Sequence, residues 1–258
     1  MTVPTTTRGP AAGPGGWLRR YRPADDAALR LVCFPHAGGS ASAYLRFAAA
    51  LAPAGVEVLA VQYPGRQDRR GEPFRDSVED LVEALLPELR QWTSGPFALF
   101  GHSLGATLAF ETARRLVGYG ERPAHLFLSG RRAPVVPRTD TAYLLDDRSL
   151  IERVTRLQGT DPALLQDEEL LHMVLPAIRS DYAMAGAYRY RPGTPLTLPT
   201  TVLTGDADPN VTVSDAERWS EVVEGPFALR VLPGGHFFLN DRTAQVCSLI
   251  QEALRDAH

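Results

Sequence analysis

Residues 97–110 read Phe97-Ala-Leu-Phe-Gly101-His-Ser103-Leu-Gly105-Ala-Thr-Leu-Ala-Phe110. An apolar run ends in a Gly-x-Ser-x-Gly motif, and a helix-compatible segment follows. This is the strand, sharp turn and helix of a nucleophile elbow. In such an elbow the serine hydroxyl points out of the sheet, and the two glycines let the strand and the helix pass closely. The stretch therefore predicts that Ser103 is a nucleophile rather than a turn or helix-cap serine.

Strand-like and helix-like segments alternate on both sides of this stretch. The predicted strands cover residues 17–21, 29–34, 56–63, 124–129, 200–204 and 227–232, the first of them as an edge strand. The predicted helices cover residues 40–52, 77–92, 148–157, 167–188, 214–223 and 243–257. Such alternation over 258 residues predicts one large α/β domain with a mostly parallel, doubly wound sheet.

One segment, between the predicted strands at 124–129 and 200–204, breaks the alternation because it shows helical patterns and no convincing strand. We expect residues 134–196 to form a helical lid over the carboxyl ends of the strands, with its second helix kinked at Pro176. Ordinary crossover helices are the alternative, although a crossover needs only one helix and fewer residues. The chain then divides into a flexible tail over 1–16 and the α/β domain over 17–258.

Composition excludes several classes of function. The net charge is −3 and all 27 basic residues are arginine, so no global field favours nucleic acid. Cys33 in an apolar strand and Cys247 in an amphipathic helix are expected to be buried, reduced thiols, and neither a disulfide framework nor a metal site is indicated. Residues 1–16, rich in Thr, Pro and Gly, lack the apolar core of a signal peptide, and no later apolar run is long enough to span a bilayer. We expect a soluble cytoplasmic protein with no membrane partner.

A serine hydroxyl is a poor nucleophile near neutral pH, so a base must take its proton and an acid must orient that base. Among six histidines, His236 follows the last strand in the glycine-rich loop Pro233-Gly-Gly-His236. That position is the one expected when nucleophile, acid and base follow one another in this order along the chain. His36, in the loop after an early strand, is the serious rival.

The acid is expected in Thr204-Gly-Asp206-Ala-Asp208-Pro209, which follows a strand and precedes a helix. Asp208 stands before a proline that disfavours helix, so its carboxylate should point from the loop toward the imidazole. Asp206 would rather cap or shape the turn and is the alternative. Both choices place a carboxylate at the sheet edge that carries the nucleophile.

An oxyanion hole needs backbone N–H groups that face the developing negative charge. One is expected from Leu104, the residue after the nucleophile, and the other from the loop after an earlier strand. The stretch His36-Ala-Gly-Gly39 is similar to the His-Gly-Gly-Gly loop of esterases. It nominates the amide of Ala37.

Placed in order, these motifs resemble those of type II thioesterases, the stand-alone editing hydrolases associated with modular polyketide synthases and nonribosomal peptide synthetases. The resemblance covers nearly the whole chain after residue 16. It is carried by Cys33-Phe-Pro-His-Ala-Gly-Gly-Ser40, Gln62-Tyr-Pro-Gly-Arg66, Gly101-His-Ser-Leu-Gly105, Leu175-Pro-Ala-Ile-Arg-Ser-Asp181-Tyr182, Gly205-Asp-Ala-Asp208 and Gly234-Gly-His236-Phe-Phe238. Jointly and in this order the motifs are specific, whereas singly only the elbow carries a mechanism.

The resemblance implies an α/β-hydrolase fold with a mobile helical lid and a triad of Ser103, Asp208 and His236. It implies hydrolysis of acyl groups from the phosphopantetheine arm of acyl carrier or peptidyl carrier proteins. No metal or diffusible cofactor is expected, because the phosphopantetheine belongs to the carrier. We further expect a monomer whose narrow apolar chamber under the lid takes short acyl chains.

Basic patches bear on how a carrier protein would dock. Carrier domains are usually acidic, so docking on this mildly acidic chain calls for a local basic patch. Arg131, Arg132 and Arg138 are the candidates, with solvated surface arginines as the alternative. The cluster Arg66-Gln-Asp-Arg69-Arg70 is expected to shape the loop beside the active site.

Three other functions remain open at this point. The same triad would serve a serine esterase that acts on oxoesters. A chain-terminating, cyclising thioesterase is less favoured because no carrier domain precedes the short N-terminus. A non-catalytic binding protein on a hydrolase frame is disfavoured by the complete set of serine, acid, histidine and oxyanion loops.

Overall fold

A single twisted sheet of eight strands organises the computed structural model, which describes residues 11–12, 16–137, 141–157 and 168–255. The strands are β1 (Ala11–Ala12), β2 (Leu18–Arg20), β3 (Leu29–Phe34), β4 (Val56–Val61), β5 (Phe97–His102), β6 (Leu126–Ser129), β7 (Thr200–Gly205) and β8 (Phe227–Leu232). Their order is β1-β2-β4-β3-β5-β6-β7-β8. All neighbours from β4 to β8 are parallel, whereas β2 runs antiparallel to both β1 and β4.

The predicted strand at 17–21 forms as β2, but the expectation that it is the edge strand is wrong. Ala11–Ala12 pairs on its outer side, opposite Arg19 and Arg20. A two-residue strand in a segment rich in Thr, Pro and Gly gives no alternation by which sequence could reveal it. The rest of the predicted tail, apart from Gly16, lies outside the described residues.

Helices follow most strands. They are α1 (Leu45–Leu51), α2 (Val78–Leu89), α3 (Leu104–Gly118), α4 (Asp147–Arg156), α5 (Glu168–Ala187), α6 (Val213–Glu217), α7 (Phe238–Asp241) and α8 (Thr243–Arg255). The predicted helix at 40–52 begins as a 3₁₀ turn over Ala41–Tyr44. Local caps fix two of the starts, because Ser77 accepts the N–H of Asp80 at 3.0 Å and Asp146 accepts that of Ser149 at 2.8 Å.

Two large cores lie on the two faces of the sheet. Successive residues of β3 alternate between them, with Val32 in one core and Cys33 in the other, as the period of two in a strand requires. Helices α2 and α3 cover the first core, and α1 and α8 cover the second. Both cysteines are buried and free, which confirms that prediction.

The segment between β6 and β7 carries α4 and α5, close to the two helices predicted there. Their shared apolar cluster is small, with Leu150, Val154 and Ile178 as its buried members. The C-terminal part of α5 joins the first core of the sheet. Residues 158–167, between the two helices, lie outside the described part of the chain. Within the described part, no helix has the length and apolar character to cross a membrane.

Candidate active site

Ser103 occupies the turn between β5 and α3 with φ 57° and ψ −117°. A positive φ is costly for a residue with a side chain, so the surrounding structure must hold it there. The two glycines of the motif make the turn possible. A Cβ on Gly101 would lie 2.0 Å from the carbonyl oxygen of Gly105, and a Cβ on Gly105 would lie 2.0 Å from that of Phe34.

The imidazole of His236 connects Ser103 to a carboxylate. Its Nε2 lies 3.0 Å from Ser103 Oγ, and its Nδ1 lies 2.7 Å from Asp208 Oδ2. The side chains of His236 and Asp208 are 4% and 0% exposed. With Nδ1–H donated to the carboxylate, Nε2 is left as the acceptor for the serine hydroxyl. The other oxygen of Asp208 accepts the N–H of Asn210 at 2.8 Å, which fixes the carboxylate.

The two rivals named from sequence lie elsewhere. Asp206 accepts the N–H of Gly234 at 2.9 Å, so it braces the loop that carries His236. The ring of His36 packs edge-on against Phe237, with 4.7 Å between the ring centroids. Burial, followed by the positive charges of His236 and Arg66, lowers the pKa of His36 to about 4. His36 is therefore neutral near pH 7, and the hydroxyl of Ser103 is bonded to His236 instead.

A second neutral histidine lies beside the triad. His102, which precedes the nucleophile, bonds through Nδ1 to Ser129 Oγ at 3.0 Å, and its ring centroid is 5.1 Å from that of His236. Burial, then the repulsion that a protonated His102 would meet from the protonated forms of His236 and His36, hold its pKa well below the usual range. His102 thus contributes an uncharged wall against the base rather than a competing proton acceptor.

The two predicted oxyanion donors, Ala37 and Leu104, line the same cavity as Ser103 and His236. Leu104 is the first residue of α3, so its N–H has no acceptor within the helix. In the loop after β3, the N–H of Gly38 donates to Asp181 at 2.7 Å and that of Gly39 to the carbonyl of His36 at 2.9 Å. Among the described residues, the N–H of Ala37 has no hydrogen-bond acceptor, so it is available to a ligand.

The cavity over Ser103 measures about 60 Å³, and its described wall is mixed rather than apolar. Polar side chains contribute through Arg131, Arg132, Tyr143, Arg153, Tyr182 and Asn210, and apolar ones through Ala37, Leu104, Ala142, Leu157, Ala185 and Val211. The expectation of an apolar chamber is therefore wrong for this part of the wall. The wall is partly polar because the loops after β6 and β7 bring Arg132 and Asn210 together beside the cavity. Arg132 Nη2 lies 3.1 Å from the backbone carbonyl oxygen of Asn210.

Sequence reasoning gave no role to Asp181, although its carboxylate is fully buried against the oxyanion loop. The motif Leu175–Tyr182 contains Asp181, but no local pattern could assign its role, because its partners lie far away in the chain. The Arg66 cluster was expected to shape this loop, and Arg66 does contact it, with 3.2 Å from Nη1 to the carbonyl oxygen of Gly39. Arg138, the third proposed docking arginine, lies outside the described residues.

A model of the thioesterase domain matches residues 29–254. The chain belongs to the thioesterase family. This thioesterase is 50% identical over 242 residues to thioesterase PikA5 of Streptomyces venezuelae, an alignment that covers 93% of this chain and 86% of that protein.

Solved structures of similar proteins share both sequence and fold with this thioesterase. BorB, a type II thioesterase from the borrelidin biosynthetic cluster, is 50% identical with a TM-score of 0.86, covering 92% of this chain and 97% of its own. The RedJ thioesterase from the prodiginine pathway of Streptomyces coelicolor is 38% identical with a TM-score of 0.82, covering 90% and 89%. The resemblance to type II thioesterases and the α/β-hydrolase fold inferred from sequence are thereby confirmed.

Proposed function

We propose that this thioesterase uses Ser103 to hydrolyse acyl thioesters on the phosphopantetheine arm of acyl or peptidyl carrier proteins. It would thereby remove stalled or aberrant acyl groups during polyketide or nonribosomal peptide biosynthesis. BorB and RedJ likewise come from biosynthetic pathways, those of borrelidin and prodiginine. The observation that carries the proposal is the continuous chain of hydrogen bonds from Ser103 through His236 to Asp208.

Acylation begins with attack of Ser103 Oγ on the thioester carbonyl while His236 Nε2 takes the hydroxyl proton. The carbonyl oxygen becomes an oxyanion and accepts hydrogen bonds from the N–H groups of Ala37 and Leu104. When the intermediate collapses, the C–S bond breaks and His236 returns the proton to the leaving thiolate. Asp208 holds the imidazole in the required tautomer and stabilises its positive charge.

Deacylation repeats these roles with water. His236 takes a proton from the water as its oxygen attacks the acyl-serine carbonyl, and the same two amides hold the oxyanion. Collapse breaks the bond to Ser103 Oγ, which recovers its proton from His236. The acid leaves, and the enzyme is restored with no redox change, so the proposal calls for no metal or diffusible cofactor.

The arm is proposed to enter along a groove beside the cavity, while α4 and α5 cover the cavity itself as the lid. Arg131 and Arg132 line both the Ser103 cavity and this adjoining groove of about 530 Å³, whose other wall includes Tyr188, Arg189 and Tyr190. Three arginines around an apolar floor fit an arm with a phosphate at its carrier end and an acidic carrier beyond it.

Acid release from carrier proteins loaded with acetyl, propionyl and longer acyl groups tests the proposal. Wild type is compared with Ser103→Ala, and each thioester with its oxoester of the same acyl group. We expect faster turnover of the carrier thioesters and a loss of about 10⁴-fold or more in the variant. Turnover of oxoesters alone would make the protein a serine esterase, and turnover of neither would make it a binding protein on a hydrolase frame.

A further inference from the structure

A buried ion pair joins the helical segment to the loop after β4. Arg66 Nη1 and Nη2 lie 2.6 and 2.9 Å from the two carboxylate oxygens of Asp181 on α5, across 115 positions of sequence. Asp181 is 0% exposed and Arg66 8%. Since desolvation offsets much of the attraction in such a pair, a buried pair is weak evidence for a role in stability alone. The contacts made by its remaining donors and acceptors indicate another role.

Both members of the pair also hold the loop after β3. Asp181 Oδ2 accepts the N–H of Gly38, and Arg66 Nη1 donates to the carbonyl of Gly39. These two residues directly follow Ala37, the proposed oxyanion donor. The loop is also pressed against α5, since a Cβ on Gly38 would lie 2.6 Å from Ile178 Cγ1.

Residues near Arg66 hold the same loop from its other side. Tyr63 Oη donates to the carbonyl of Pro35 at 3.0 Å, and Gln62 Oε1 accepts the N–H of Ala41 at 3.1 Å. Gln62 Nε2 in turn donates to the carbonyl of Arg66 at 3.2 Å. Side-chain hydrogen bonds therefore hold the backbone of the loop from Pro35 to Ala41 at four points, and two of the four depend on the pair of Arg66 and Asp181.

We propose that Arg66 and Asp181 are positioning residues that hold the Ala37 amide where the oxyanion forms. The pair makes the seating of α5 a condition for a complete oxyanion hole, because Asp181 reaches Gly38 only while α5 lies against the loop. This inference rests on the proposed function of Ser103 and names how that site is assembled. A misplaced donor stabilises the transition state less, while binding of the substrate changes little. Loss of the pair should therefore lower kcat rather than substrate affinity.

The test compares two Asp→Asn variants, each of which weakens an Arg–Asp pair of α5. Asp181→Asn breaks the buried, two-bond pair of Arg66 and Asp181. Asp147→Asn breaks the exposed pair between Asp147 and Arg179. The substrate is acetyl-N-acetylcysteamine, a small thioester that needs no carrier. We expect kcat to fall about 10- to 100-fold in Asp181→Asn, with KM within about threefold, and to change less than about twofold in Asp147→Asn.

A second readout separates positioning from general loosening. An alkyl trifluoromethyl ketone forms an oxyanion when Ser103 adds to it, whereas the matching thioether of the substrate does not. Affinity for the ketone should fall by the same factor as kcat in Asp181→Asn, while affinity for the thioether stays within about twofold. The pH dependence of kcat/KM, which reports the base, should keep its shape.

Arg66→Lys provides an independent variant. It keeps the positive charge but cannot make the two-bond contact with Asp181, so it should show the same loss of kcat. Wild-type kcat in either folded variant, or equal losses of ketone and thioether affinity, would overturn the inference. Far-ultraviolet circular dichroism and thermal melting identify a variant that fails to fold. If one of the two variants does not fold, the kinetics of the other test the inference. An inactive wild type would instead count against the proposed function.

Discussion

Ser103 and His236 follow the ends of β5 and β8 and line the floor of the cavity, with Asp208 buried behind His236. Tyr143 and Tyr182 belong to the helical roof, which is formed by α4, α5 and the turn before α4. The floor rests on two large cores that cover both faces of the sheet. The roof has a cluster of its own with three buried members. From the smaller cluster we expect the roof to open locally at a smaller cost in free energy than the floor.

The largest effect should come from a minimal change in the floor. Asp208→Asn keeps the shape of the side chain but favours the wrong imidazole tautomer, and we expect kcat to fall on the order of 10⁴-fold. Asp206→Asn, two residues away, still accepts the N–H of Gly234 and should lose about tenfold or less. Steady-state kinetics on acyl-carrier thioesters checks both, and equal losses would show that the two carboxylates share the role.

Core truncations should separate the floor from the roof by stability. Leu99 in β5 and Leu150 in α4 are both fully buried, so the two Leu→Ala changes are matched in chemistry. We expect Leu99→Ala to lower the free energy of unfolding by about 3–5 kcal/mol. Leu150→Ala should lower it by less than about 2 kcal/mol, because α4 opens locally before the sheet unfolds.

Guanidinium denaturation measures these losses, and hydrogen exchange locates them. Amides of α4 should exchange faster than those of β5 in wild type, and faster still in Leu150→Ala. Equal protection of α4 and β5 would contradict the division into a rigid floor and a weaker roof.

A pH-dependent effect is expected at the end of the sheet away from the active site. Burial lowers the pKa of His125 to about 4, against about 6.5 in the unfolded chain. Between pH 6.5 and pH 4 the imidazole is therefore protonated in the unfolded state but not in the folded state. As the pH falls through this range, His125 lowers the free energy of unfolding by at most about 3 kcal/mol.

Replacement of the imidazole tests this contribution. His125→Gln retains a group able to bond Thr201 Oγ1, which lies 2.9 Å from His125 Nε2. Denaturation between pH 7 and 4 should show a shallower loss of stability in the variant, with kcat at pH 7 unchanged. Parallel curves for variant and wild type would disprove the assignment.

The floor was largely predictable because its residues follow strands, and parallel strands bring their carboxyl ends to one edge. A local motif marked Ser103, and Asp208 and His236 each follow a recognisable strand. The geometry separates Asp208 from Asp206, which the sequence left as alternatives. That choice depends on side-chain directions within one turn, and no sequence pattern encodes them.

The roof was less predictable. The helices themselves follow from periodicity, but which of their side chains face the cavity depends on how distant segments pack. The polar wall around Arg132 and Asn210 and the pairing of Asp181 with Arg66 both arise from such packing. A residue pair separated by 115 positions has no periodic signature, so only the folded chain reveals it.

The pair of Arg66 and Asp181 has a consequence for inhibition. Coupling between two sites is reciprocal in free energy. If α5 packed against the loop after β3 strengthens ligand binding in the oxyanion hole by some factor, a ligand bound there must favour the packed position of α5 by the same factor. A reversible inhibitor that forms an oxyanion at Ser103 would thus keep α5 over the site and slow its own dissociation. Its residence time should exceed that of an equally tight ligand that leaves the Ala37 amide empty.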